Sequence, residues 1–484
     1  MAAESSLATR AVRGFLWNGS ASFIQLGTLL LLYWLLPDTG DMGVFEFARI
    51  LIMFLALVGN LGLSQALVQR RDVGGDHFHT VFWTNLVWGL CLTALVFVGA
   101  PFFAALSRSE EPEEFTHVLR VLCLLLPLAS ISGVFRARLQ RDLDFAALAL
   151  SEVVSVLSFG VIVVPLVLVA PNLGVMIPVT GALFRELGLL VSLCRSARWR
   201  PRFRFCFPAL RQLLRFALNF TGSQAIAYIN TNIASLFIFP VLGPVSQAYY
   251  SLAVTVTLTP LVRLSTTINR VSFPTFSTIQ DDTSLLRRGY LHSVQGLVLL
   301  MGPPLAGIFV FAPYFLAFMD KSPALTVLRL LAVATLLKVA GTMVGSMFMA
   351  RGRTDWSFYW SIFSLILLSP SMYFAAPYGV EEVTVVIAAS SLLFLILSQA
   401  LANRLISLSF SSYLAALIRP ALVILVLFAA LSALRPLLPG SPLFVLLQAA
   451  LLGSIIYILT LRLLAWRLCQ EYWRSLRGQS SPPS

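Results

Sequence analysis

Charge is scarce here: 11% of the 484 residues are Asp, Glu, Lys or Arg, where a soluble domain carries roughly 25%. That shortage, beside 58% hydrophobic residues and a mean hydropathy of +0.86, excludes an ordinary soluble fold. Alternation of polar and apolar residues is also missing from stretches such as Leu26 to Leu36, which excludes a membrane β-barrel. Cysteine is sparse and scattered (Cys91, Cys123, Cys194, Cys206, Cys469), without a CxxC pair, so neither a disulfide scaffold nor a metal cluster is expected. The sequence has no phosphate-binding loop of the Walker type and no GxSxG elbow. His77 and His79 share a short loop without further ligands. No enzyme, cofactor or metal site is expected, because the outer loops are too short to house a catalytic domain.

What is present is a series of apolar runs of around 20 residues, the length that crosses about 30 Å of hydrocarbon. In lipid each run must satisfy its own backbone hydrogen bonds, so each is expected to be a helix. They fall near 14–36, 43–68, 81–106, 117–137, 145–169, 172–194, 212–239, 246–271, 288–316, 323–349, 356–376, 381–403, 419–437 and 442–464. The first run is too long, and lacks the small-residue site, for a cleaved signal. Turn sequences at 36–41, 170–172, 242–244 and 377–379 separate several of them. The fold class is therefore all-α integral membrane, with about 14 transmembrane helices.

With a cytoplasmic N-terminus, 24 of the 34 Lys and Arg residues fall on the inner side and three outside. The bias alternates loop by loop and puts both termini in the cytoplasm. The longest polar interruption, 195–211, alternates Arg with Phe. It suits a strip on anionic inner-leaflet lipids, phenyl groups in the interface and guanidinium groups on phosphate, and not a nucleic-acid surface. It divides the chain into residues 1–195 as a first bundle, 196–211 as a basic linker, 212–405 as a second bundle, and 406–484 as an additional helix pair with a basic tail. Arg13 to Ser20 echoes Arg215 to Ser223, as parallel repeats would.

Charged side chains inside a span cost about 2.5–3.5 kcal/mol each on insertion scales. Arg49, Arg185, Arg263 and Lys338 lie deep in their runs, and Arg270 lies nearer an inner end. Thr255, Thr259, Arg263, Thr266 and Arg270 recur at helical spacing as one polar stripe. Asn18 and Gln25 on the first run, and Asn219 and Asn230 on the seventh, form shorter stripes. Such stripes are interhelical glue or the wall of a water-filled cavity, and the arginines favour the cavity. The acidic intramembrane residues are Glu46, Glu152 and Glu186, candidates for ion coupling; Glu152 is also placed to neutralise Arg185. An excess of cations over carboxylates suits an anionic cargo.

Four stretches carry a family resemblance: Ala66 to Asn85 with the preceding Gly59-Asn-Leu-Gly-Leu, Phe135 to Glu152, Asn269 to Asp282, and Ala350 to Asp355. In this order they resemble the bacterial polysaccharide transporter family, Wzx-type flippases in a superfamily that also holds multidrug exporters. The resemblance implies two six-helix bundles around a central cavity, followed here by the additional C-terminal pair. It implies passage of an undecaprenyl-pyrophosphate-linked oligosaccharide across the bacterial cytoplasmic membrane for surface or exopolysaccharide synthesis. Polymerase or export machinery are the implied partners, and a multidrug or small-molecule exporter is the alternative on the same fold. Members often carry Asp and Arg near the end of the seventh span. Here that region reads Asn232-Ile-Ala-Ser-Leu-Phe-Ile-Phe, without charge, so no coupling role is assigned to it.

Overall fold

The computed structural model describes residues 24–36, 38–70, 72–107, 111–279, 282–466 and 470. Among these the only regular structure is helix: α1 (Ile24–Leu35), α2 (Thr39–Gly59), α3 (Leu63–Gln69), α4 (Gly75–Leu106), α5 (Pro112–Leu122), α6 (Leu125–Arg141), α7 (Phe145–Val169) and α8 (Met176–Ser196) come first. They are followed by α9 (Phe207–Thr278), α10 (Thr283–Phe318), α11 (Leu325–Gly341), α12 (Val344–Ala350), α13 (Thr354–Ala375), α14 (Val380–Ile406), α15 (Phe410–Leu434) and α16 (Pro442–Leu464).

Twelve helical stretches among the described residues are long and apolar enough to cross a membrane. One of them, Phe207–Ser265, has 59 residues. At 1.5 Å per residue that is about 88 Å, more than twice the hydrocarbon thickness. Gly243, at φ 78° and ψ −179°, breaks it where Leu-Gly-Pro signals a turn, so it supplies two of the expected runs. α1 carries the end of the first run, whose beginning lies outside the described residues.

Among the runs that differ from their expected form are the second and the one near 419–437. The second is interrupted: Leu61 (φ 45°) and Gly62 (φ 64°) are left-handed and separate α2 from α3. The run near 419–437 begins nine residues earlier, at Phe410, where the Ser409 hydroxyl accepts from the Ser412 N–H at 3.1 Å. The serines and Arg419 depress hydropathy there without disfavouring helix.

The chain forms two compact units, residues 1–251 with 361–379, and residues 252–360 with 380–484. In the first, α6 packs against α2, α3, α4 and α8, and α7 lies along α8. The first two stretches of the family resemblance meet there. Phe78, Phe82 and Phe135 share one core with Leu63, Leu67 and Leu139. Arg141 caps the end of α3, donating to the carbonyls of Leu67 at 2.9 Å and Arg70 at 2.6 Å. These sequences are thus held by packing and capping.

In the second unit α10 is central, against α11, α14, α15 and α16. The C-terminal pair extends this unit: Val310 and Phe311 of α10 join Leu427, Leu431, Val445 and Ala449 in one core, and the Tyr457 hydroxyl donates to Leu299 O at 2.8 Å. Asp282 caps α10, accepting from the N–H groups of Ser284 at 2.9 Å and Leu285 at 3.0 Å. The Leu285 N–H, then the Ser284 hydroxyl, hold its carboxyl below the usual carboxylate range. A carboxyl made more acidic by folding stabilises fully above its unfolded range and loses that effect as pH falls through the depressed value. Asp282→Ala is therefore expected to melt below wild type at neutral pH, with the gap closing in acid; a gap independent of pH would remove the capping account.

Candidate functional site

The candidate charged residues within the spans of the first unit sort into two clusters. On α2, Glu46 and Arg49 are three residues apart and face each other: Arg49 Nε donates to Glu46 Oε2 at 3.2 Å, and Nη2 contacts the same oxygen. Glu46 is 4% exposed, while the Arg49 side chain is 40% exposed, so the carboxylate is the buried partner. Tyr228 of α9 donates to Ile50 O at 3.0 Å, one residue beyond Arg49. The candidate cation Arg49 and the candidate coupling acid Glu46 are thus one ion pair.

Along α9, Asn230 Nδ2 donates to Ser361 O of α13 at 2.7 Å, and its Oδ1 is buried without a partner. Asn219 is exposed and Gln25 is half-buried on α1. Asn18 lies outside the described residues, as do the side chains of Thr266 and Arg270.

The second cluster surrounds a polar cavity of about 320 Å³ lined by α2, α3, α6, α8 and α9. Glu186 of α8 and Arg136 of α6 are on its wall. Glu152 of α7 binds Arg136 at 2.7 Å. Arg136 therefore belongs to an interhelical pair and not to a free cytoplasmic turn. The half-buried Arg185 precedes Glu186. Asn60, Ser64, Ser132, Thr221 and Gln224 complete the wall. Of these, Asn60 and Ser64 stand at helical spacing from Glu46 and Arg49 in the sequence.

The second unit holds the exposed Arg263 on α9 and the half-buried Lys338 on α11. Thr255 is buried, and the Thr259 hydroxyl turns toward Val254 O of its own helix at 3.4 Å. An apolar cavity of about 500 Å³ in this unit is walled by Pro303, Pro304 and Gly307 of α10 with Leu431, Ala449 and Gly453 of α15 and α16. Among the described residues no group of three or more His, Cys, Asp or Glu side chains is placed to hold a metal.

The basic strip is clamped to the start of α4. Trp199 stacks on His79 at 5.2 Å and meets Phe78, Phe82 and Phe135. The Arg202 N–H donates to His79 Nδ1 at 3.0 Å, the Cys206 N–H to Thr80 Oγ1 at 3.0 Å, and Trp83 Nε1 to Arg202 O at 2.8 Å. His79 accepts there, so it is a structural ring and not a metal ligand. The outer side is exposed: Phe203 is 90% exposed even while stacked on Trp83, Arg202 and Phe205 are exposed beside it, and the exposed Arg204 lies 3.8 Å from Asp76 of α4.

Residues 36–320 match a family described as polysaccharide biosynthesis protein, more than half of the chain. The chain belongs to that family. The matched region carries the Glu46–Arg49 pair, the polar cavity, the basic strip and Arg263; Lys338 lies beyond it. This polysaccharide biosynthesis protein is 27% identical over 376 residues to the teichuronic acid biosynthesis protein TuaB of Bacillus subtilis (strain 168), with 77% of each chain covered. It is 28% identical over 381 residues to the lipopolysaccharide biosynthesis protein WzxC of Escherichia coli (strain K12), covering 76% of this chain and 75% of that one. The succinoglycan biosynthesis transport protein ExoT of Rhizobium meliloti (strain 1021) is 28% identical over 272 residues, 56% of this chain and 54% of that protein.

Among solved structures, the lipid II flippase MurJ in an inward closed conformation superposes with a TM-score of 0.75 at 15% identity, covering 96% of this chain and 99% of that one. An inward-facing multidrug resistance MATE transporter follows at 0.66 and 18% identity, covering 80% and 94%. These likenesses establish the fold alone, that of a multi-pass helical membrane protein.

Proposed function

We propose that this polysaccharide biosynthesis protein is a flippase that moves a lipid-linked oligosaccharide across the bacterial cytoplasmic membrane by alternating access between two helical bundles. The observation that carries the reading is the family match over residues 36–320. Its named relatives serve chemically different glycans: teichuronic acid, lipopolysaccharide and succinoglycan. In this reading the step common to them is the export of a repeat unit carried on a lipid. A fold shared over 96% of the chain with a flippase for another lipid-linked saccharide supports the same step.

In this reading Arg49, Arg185, Arg263, Arg270 and Lys338 attract the undecaprenyl pyrophosphate or acidic sugars, and the polar side chains Asn18, Gln25, Asn219 and Asn230 face the glycan. A cationic wall selects anionic cargo by the field it projects into a low-dielectric cavity. Glu46, Glu152 and Glu186 are the acids available for ion coupling. Both termini are cytoplasmic, and the exposed Arg and Phe groups of 202–205 rest on anionic inner-leaflet lipids. A polymerase or export complex receives the flipped unit.

A strain lacking the protein is expected to lose its surface or exported polymer and to retain lipid-linked repeat units on the cytoplasmic side. Arg263→Ala, expressed at the wild-type level, is expected to reduce polymer output in the same assay. Normal polymer without trapped intermediates, in a strain with no compensating paralogue, would reject the flippase reading.

A further inference from the structure

We infer that the polar cavity at the break between α2 and α3 is a subsite for one neutral sugar ring of the cargo. The inference rests on the flippase reading and gives this wall the hydroxyl-bearing part of the cargo, not its pyrophosphate. The break shapes the wall. Leu61 and Gly62 are left-handed, and Gly62 lets the interrupted helix approach α9 closely: a Cβ there would meet Ala217 O at 2.5 Å and Thr221 Oγ1 at 2.9 Å. Gly133 of α6 makes a similar approach, where a methyl would stand 3.1 Å from Asn60 Oδ1. Asn60 and Thr221 are both on the cavity wall. On the topology proposed above, Gln65 and Gln140 lie near the inner ends of α3 and α6, so the subsite is on the side where cargo is loaded.

Charge decides the class of occupant. Arg136 is paired with Glu152 at 2.7 Å, and Arg136 and Arg185 both lie near the Glu186 carboxyl. Two guanidinium groups thus stand against two carboxylates, and this cluster holds no surplus charge to select an ion. What remains on the wall is neutral and polar: Asn60, Gln65, Gln140 and Gln224 each carry an amide, and Thr221 a hydroxyl. Amides and hydroxyls both donate and accept, as the hydroxyls of a sugar do.

Thr221 is 9% exposed and its Oγ1 has no partner; the buried Asn60 Oδ1 has none either. Buried polar atoms are nearly always paired, so two orphans on one wall call for a polar occupant. Water satisfies such atoms one at a time. A ring bearing several hydroxyls satisfies both together, and its C–H groups can pack on the half-buried Phe220 of the same wall, a contact that water does not use. The volume of about 320 Å³ falls at the low end of small-molecule sites, roughly 300–1,000 Å³. That suits a single sugar ring and not a whole oligosaccharide.

The test compares two ligands on the purified full-length protein in nanodiscs: undecaprenyl pyrophosphate, and the lipid-linked repeat unit extracted from a strain lacking the protein. Wild type is expected to bind the repeat unit about tenfold more tightly than the bare carrier. Thr221→Val and Gln140→Met are each expected to weaken repeat-unit binding about threefold and to leave carrier binding unchanged. Their combination should abolish the preference. The preference should also survive a rise in salt that weakens carrier binding, because contacts between neutral groups are not screened. Asp355→Asn, which removes a surface ion pair of the other unit, should behave as wild type. Melting curves check folding; if Gln140→Met does not melt with wild type, Gln224→Leu at an exposed position replaces it. If no lipid-linked unit accumulates in the strain, the flippase reading fails and the inference falls with it. If the unit accumulates but wild type binds it no more tightly than the carrier, or folded variants keep the full preference, the inference alone is overturned. Loss of the preference in salt also overturns it, since acidic sugars on the arginines would then be the source.

Discussion

Gly43→Ala is expected to be among the most damaging single-methyl changes in the chain, with a stability loss of about 3 kcal/mol or more. A methyl on Gly43 would overlap the carbonyl oxygen of Pro244, a backbone atom that cannot rotate away. Pro244 directly follows Gly243, whose positive φ sets the course of α9. Relief of the clash therefore has to move α2 or the turn itself. Gly345→Ala is the matched control, because a methyl there meets nothing within 4 Å. In thermal melts followed by size-exclusion chromatography, Gly43→Ala should lose the monodisperse peak at a much lower temperature. Equal melting of the two variants would mean that α2 and the turn can separate at little cost.

The second large effect is expected at the Glu46–Arg49 pair, and it is asymmetric. Arg49→Ala strands a carboxylate that is 4% exposed, whereas Glu46→Ala strands a guanidinium whose side chain is 40% exposed. Breaking a fully buried pair costs about 3–5 kcal/mol, and partial exposure of the arginine reduces this. About 3 kcal/mol for Arg49→Ala and about 1–2 kcal/mol for Glu46→Ala are the corresponding expectations. The double variant should be less destabilised than the sum of the singles by about 1–3 kcal/mol. Simple additivity in a double-mutant cycle would show that the two side chains do not act as a unit.

These two cases mark what could and could not be read before the structure. Glu46 and Arg49 are three apart on an apolar run, so helical geometry alone places them on one face. The long runs also fixed the helical class, because twenty apolar residues have few other physical options. The Arg136–Glu152 pair was not legible. Its members lie on different helices, and Arg136 near a span end reads like any cytoplasmic arginine. The polar cavity was hidden for another reason: it depends on Leu61 adopting φ 45°, which a leucine rarely signals. Hydroxyl positions mislead in a third way. Thr84, Thr93, Ser158, Thr231 and Thr257 each donate to a carbonyl of their own helix, so a hydroxyl at helical spacing says little about a cavity.

The clamped strip bears on how such a protein can be recombined. Its hydrophilic sequence makes residues 197–206 the obvious junction for exchanging halves between relatives. A crossover before Ala197 would pair Trp199 and the Arg202, Cys206 and Trp83 bonds with aromatic and hydroxyl partners from another parent. A crossover after Cys206 inherits the strip and its receptor surface on α4 from one parent. Hybrids joined there keep the lock and the key together, although the seam then falls at the first residue of a helix.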